Sequence, residues 1–191
     1  MIYEKLDKFD KKRLQIAIAY FSREYYKKTK RFPTQTQIYK FLAFVDFTSV
    51  KQRGRPVFGL KYVAMKHGPV PIDMYEEIKN IERSKQYEYY KIWSENNKKF
   101  FAYLEAKDIN LKYFSQDELE IINKFIEILI DDSLKSYHYS EASHQNIKAW
   151  KKAYNLKPSS IMKYEDEIED ECLLDILEGY KIVEEIKRSS Y

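Results

Sequence analysis

The chain has 191 residues, 44% of them hydrophobic, which suits one domain with a sizeable core or one domain with an appended helical piece. Its net charge of +4 is unevenly placed: residues 1–67 hold 16 Lys/Arg against 5 Asp/Glu, net +11, and residues 114–191 hold 10 against 17, net −7. Such ends fit mutual neutralisation better than a dedicated nucleic-acid domain, which is usually basic throughout, and one cysteine excludes an internal disulfide and a cysteine-rich zinc site.

Met1 to Lys8 is charged and lacks the apolar stretch of a signal peptide. Leu14, Ala17, Ile18, Phe21 and Tyr25 then recur at helical spacing and predict a helix over 9–29. Phe32-Pro33 breaks it. Thr34 with Gln37 forms a capping box ahead of Ile38, Phe41, Leu42 and Val45, a second helix ending near Phe47. Lys51-Gln52-Arg53-Gly54-Arg55-Pro56 reads as an exposed basic loop. Residues 57–65 alternate, with Phe58, Leu60, Tyr62 and Ala64 on one face, as in a strand. Gly68-Pro69-Val70-Pro71 predicts a rigid turn, and a third helix follows with Met74, Ile78 and Ile81 inward.

Gln86 to Trp93 and Phe100 to Ala106 predict a hairpin around the loop Ser94 to Lys99, which with 57–65 makes a small three-stranded sheet. Ser115 and Glu118 cap a helix carrying Leu119, Ile122, Ile126 and Leu129. Asp131-Asp132-Ser133 interrupts it, a short helix runs from Ser140 to Trp150, and Lys157-Pro158-Ser159-Ser160 is the next break. A last helix carries Leu173, Ile176, Leu177, Tyr180 and Val183 on one side, with Cys172 expected in the core. No run approaches the ~20 apolar residues of a membrane helix, so a soluble, cytoplasmic protein is expected. The class is α+β, mainly α-helical with a small antiparallel sheet of about three strands.

Three blocks carry a family resemblance. Tyr39 to Phe47, with Phe41, Leu42 and Asp46, is similar to the second-helix signature of the Panacea (SocA-like antitoxin) family. Gly54 to Val70 resembles its most recognisable stretch, through Gly59, Tyr62 with Ala64 two residues on, and the Gly68-Pro69-Val70 turn, followed by Tyr75. Ser143-His144 and Ala149-Trp150 resemble its closing pair. The resemblance spans about residues 10–153 and implies one Panacea-like domain over 1–191, with a C-terminal helical extension from about residue 157. It implies an antitoxin of a toxin–antitoxin system or mobile element, acting on a cognate toxin, a mobile-element protein or a host protein by protein–protein contact. It supplies no catalytic residue. These motif positions, His144 and Trp150 included, are expected to be structural.

The residues themselves point the same way. His67, His138 and His144 lack metal-ligand spacing, the glycines form no phosphate loop, and the acidic cluster Glu165 to Glu171 lacks the pattern of a calcium loop, so no metal or cofactor is expected. Asp46 is expected to accept hydrogen bonds from the following loop, and His144 to pack near Trp150. Lys51, Arg53 and Arg55, with Lys66 and His67, make the candidate partner-contact surface. The 18 Tyr and 11 Phe suit interfaces, although an AT-rich genome gives the same composition. An antitoxin-like, non-enzymatic binding protein is therefore expected. A nucleic-acid-binding or mobile-element accessory regulator is the alternative, and a small hydrolase built on Asp46 or His144 the other rival.

Overall fold

The computed structural model describes residues 6–131 and 136–189. It has the expected α+β class, mainly helical with two small antiparallel sheets. Helix α1 (Lys8–Thr29) starts on Asp7, whose carboxylate accepts from the Asp10 amide at 2.8 Å. It buries the expected stripe of Leu14, Ile18, Phe21 and Tyr25. Helix α2 (Gln35–Arg53) opens on the predicted cap, with the Thr34 amide donating to Gln37 Oε1 at 2.9 Å. Every residue from Gln37 to Val50 except Thr48 is buried, which makes α2 the axis of the core. It also runs past the predicted end at Phe47. Ser49 stays buried by donating to the Arg55 carbonyl at 2.7 Å, and Gly54 closes the helix at φ 68°.

The expected strand 57–65 shortens to β1 (Tyr62–Met65), paired antiparallel with β2 (Gly68–Pro71) around Lys66 and His67. The predicted Gly-Pro-Val-Pro turn is thus a strand. Ile72 donates its amide to Lys61 at 2.9 Å, so the alternate positions 69 and 71 are those whose N–H would point away from β1, where proline is tolerated. Helix α3 (Ile72–Ile78) buries Met74 and Ile78.

The three-stranded sheet has the order β3 (Ser84–Gln86), β4 (Tyr90–Glu95), β5 (Lys98–Tyr103). Its third strand comes from 84–86 and not from 57–65. The hairpin turn is tighter than predicted: Asn96 and Asn97, at φ 48° and 60°, form a two-residue connection that matches strand twist. Ile92 and Phe101 face inward, and the Phe101 amide donates to the Pro33 carbonyl at 3.0 Å, fixing the sheet to the start of α2.

Helix α4 (Gln116–Leu129) has the predicted capping box, with Ser115 N to Glu118 Oε2 at 2.9 Å and Glu118 N to Ser115 Oγ at 3.3 Å. Phe125 stacks on Phe44 of α2 at 5.2 Å. The break expected at 131–133 falls partly outside the described residues. Two helices, α5 (Ser136–Asn146) and α6 (Lys148–Leu156), replace the single helix expected from Ser140 to Trp150. Ile147 between them is extended and 2% exposed, and the Ala149 amide donates to Glu167 at 2.6 Å, so the cap of α6 comes from 18 residues away.

Helix α7 (Glu171–Ser189) rests on the body through Leu177, with Leu173, Leu174 and Tyr180 packed around Val50 and Ile168. Two expectations fail here. Ile176 and Val183 are 47% and 50% exposed, and Cys172 is exposed, because α7 meets the body along a face narrower than its apolar stripe.

Candidate functional surface

Asp46 lies on α2 with no exposed surface. Its carboxylate accepts from the amides of Phe58 at 2.7 Å and Leu60 at 3.4 Å, and from the hydroxyls of Tyr62 at 3.0 Å and Tyr164 at 3.1 Å. The acceptor role is as expected, but the donors lie just past the basic loop 51–56, at Phe58, Leu60 and Tyr62, and on a tyrosine 118 residues away. The irregular segment 57–61 is thereby fixed against the core. Burial pushes the carboxyl up to about 6, and the four hydrogen bonds oppose that push. Tyr164 also lies 2.7 Å from the Leu60 carbonyl, so its single hydroxyl proton is shared between that carbonyl and Asp46, the shorter contact being to Leu60.

A second polar cluster holds the β1–β2 turn. Lys40, 2% exposed, donates its ammonium to the His67 carbonyl. Burial pushes this amine down to about 7. A Cβ on Gly68, whose φ is 101°, would collide with Lys40 Nζ and Ser143 Oγ. Ser143 is itself turned inward, donating to the Ser140 carbonyl at 2.7 Å. His144 stacks on Trp150 at 3.8 Å, Trp150 stacks on Tyr154 at 4.8 Å, and the indole N–H donates to the Met65 carbonyl at 3.0 Å. Burial, then the nearby Lys40, lowers the His144 pKa. Gly68, Ser143, His144 and Trp150 therefore form a clamp that presents Lys66 and His67 at an exposed tip. Tyr75 is at the surface of α3.

The five candidate contact residues do not form one patch. Lys51 and Arg53 belong to the last turn of α2, and the 13 residues from Lys40 to Arg53 place about 20 Å of helix between them and the His67 turn. Arg53 lies 4.0 Å from Glu118, which also pairs with Arg13 at 2.8 Å, and Lys51 lies near Glu167 and Glu169. Basic and acidic thirds do meet there. Arg55 remains exposed at the mouth of a cleft of about 550 Å³ between α1, residues 55–58 and α7.

Lys66 and His67 have different company. Tyr62 and Ala64 point inward, so Val63 and Met65 face outward. Residues 159–162 pair along β1: Ser159 N donates to Ala64 O at 2.8 Å, Met162 N to Tyr62 O at 2.9 Å, and Ile161 bridges Val63. Met65 and Ile161 are exposed on this side, at 36% and 67%, and Leu156, which ends α6 shortly before the paired segment, is 79% exposed. Lys61, Lys66, His67 and Lys157 are exposed beside them, and none has an ion-pair partner among the described residues. Ile161, Leu156 and Lys157 escaped the sequence reading because the segment looked like a plain break. Lys40 carried a signal: it is a cation inside the run Ile38 to Val45, whose other residues are all apolar or aromatic.

The domain is mainly helical α+β, and its polar motif residues are turned inward around the exposed β1–β2 turn. The chain belongs to the antitoxin SocA-like family, Panacea domain, whose profile matches residues 38–151, more than half of its length. That stretch holds Asp46, the clamp and the turn it presents. No curated protein and no solved structure matches. Among the described residues no helix is long and apolar enough to cross a membrane. The family sets an antitoxin-type role with a protein as partner.

Proposed function

We propose that this protein neutralises a cognate cytoplasmic toxin by stoichiometric binding through the outward face of β1 and its turn, and breaks no covalent bond. The observation that carries the reading is an exposed apolar pair, Met65 and Ile161, on the outward face of β1, flanked by exposed Lys61, Lys66 and His67, which have no ion-pair partner among the described residues. Protein interfaces bury apolar side chains at their centre and place charge at the rim, where it steers encounter. The partner surface is therefore acidic around an apolar patch. An exposed apolar centre suits a protein better than a phosphate backbone. The non-catalytic part of the reading is supported by the hydrogen-bonded carboxylate of Asp46, the inward hydroxyl of Ser143 and the ring of His144 stacked on Trp150.

The test is co-expression with the product of the adjacent gene. Rescue of growth and a stable complex on size exclusion are expected. Both should be lost in Met65→Glu/Lys66→Glu, with an unchanged melting temperature. Rescue that survives this double variant, or tight binding of duplex DNA that falls steeply with salt while no protein complex forms, overturns the proposal.

A further inference from the structure

Helix α7 lies outside the family-matched residues and carries the opposite charge, so its role is independent of the β1 face. Cys172, Ile176, Gly179, Val183 and Ile186 are spaced by four, three, four and three residues, the seam spacing of paired helices. All five are exposed and lie off the Leu177 side of the helix, with Ile176 at the edge that borders Gly54 of α2. Ile176, Gly179 and Val183 also line the cleft beside α1. We infer that this side of α7 is a docking seam for an amphipathic helix of a partner protein bearing an apolar row and a basic flank.

Two observations commit the occupant. Gly179 sits mid-helix without positive φ, and a Cβ there would meet nothing within 4 Å. Glycine in a helix interior costs about 1 kcal/mol relative to alanine, and neither backbone geometry nor packing against the described residues explains it. At the centre of a seam it lets a second helix come closer, since interaxial distance follows the side chains at the contact. The second observation is charge. Glu171, Asp175, Glu178 and Glu185 form a column one residue before the seam positions, and none has an ion-pair partner among the described residues. Glu184 and Glu165, by contrast, pair with Lys187 and Lys181. An antiparallel second copy of α7 would set acidic column against acidic column. A basic flank neutralises it.

The probe is a synthetic helical peptide of about six turns with leucine at seam positions and lysine on one flank, tested against the full chain. A second peptide replaces the lysines with glutamates. The basic peptide should bind and slow alkylation of Cys172, the chain's one thiol. Gly179→Leu, which has room to fold, should weaken binding about tenfold or more, and Asp175→Lys/Glu178→Lys should transfer preference to the acidic peptide. Equal binding of both peptides, binding of neither, or a dimer of the free chain that Gly179→Leu dissolves overturns the inference.

Discussion

Helices α2 and α7 are each 19 residues long, and the structure uses them in opposite ways. Almost the whole circumference of α2 is covered by neighbouring elements, and even its polar residues are absorbed, Lys40 by a carbonyl and Asp46 by two amides and two phenols. Helix α7 touches the body through a strip centred on Leu177 and leaves Ile176, Ile182, Val183 and Ile186 in solvent. Apolar content alone does not separate them. What separates them is how many elements pack around each axis. Stability is therefore concentrated at α2, and α7 is the element able to open locally without loss of the fold.

The largest test of that contrast is Asp46→Ala. Truncation strands buried donors on Phe58, Leu60 and Tyr62, each costing about 1–3 kcal/mol, so a loss of about 3–5 kcal/mol in urea unfolding is expected. A loss under about 1 kcal/mol would mean that Asp46 does not hold the core together. Asp46→Asn adds a sign. With the folded carboxyl pushed up to about 6 from 3.8, the folded state holds more protons than the unfolded chain between those values. Stability should fall as pH rises through that window, and the variant should lose this slope.

Lys40 gives the reverse sign. Its amine is pushed down to about 7 from 10.5, so between those values the unfolded chain binds more protons and stability should climb with pH, by a few kcal/mol over the window. Lys40→Met should be flatter across it. Equal slopes would mean that the buried amine keeps its proton. Next in size is Leu177→Ala, at about 2–3 kcal/mol for a buried leucine. The contrast predicts faster amide exchange confined to α7, with α2 unchanged; a uniform rise over both helices would make them one cooperative unit.

The sequence made visible what is decided within a turn or two of chain. The caps at Thr34 and Ser115 and the stripe of α1 depend on residues three or four apart. The end of α2 was missed because Ser49 looked like loop chemistry, and only the Arg55 carbonyl makes it a helical residue. The break at Ile147 was missed because its cap, Glu167, is 18 positions along the chain. The candidate surface divided in the same way. Lys66 and His67 were legible as the tip of a motif, but Arg53 read as free because nothing local announces Glu118. The stripe of α7 was legible as a stripe, and its periodicity could not say which half of it would find a neighbour.

The smallest effect separates the helices through their glycines. Gly54, at the end of α2, has φ 68°, and a Cβ there would press on the Leu173 carbonyl and Ile176 of α7. Gly54→Ala should therefore destabilise, since it combines a left-handed backbone with a backbone contact that cannot yield. Gly179 has neither constraint, so Gly179→Ala should stabilise α7 by about 0.5–1 kcal/mol through helix propensity, read as slower amide exchange in that helix alone. A destabilising Gly179→Ala would mean that the isolated chain already packs something against that position, and the exposed seam would then be a closed one.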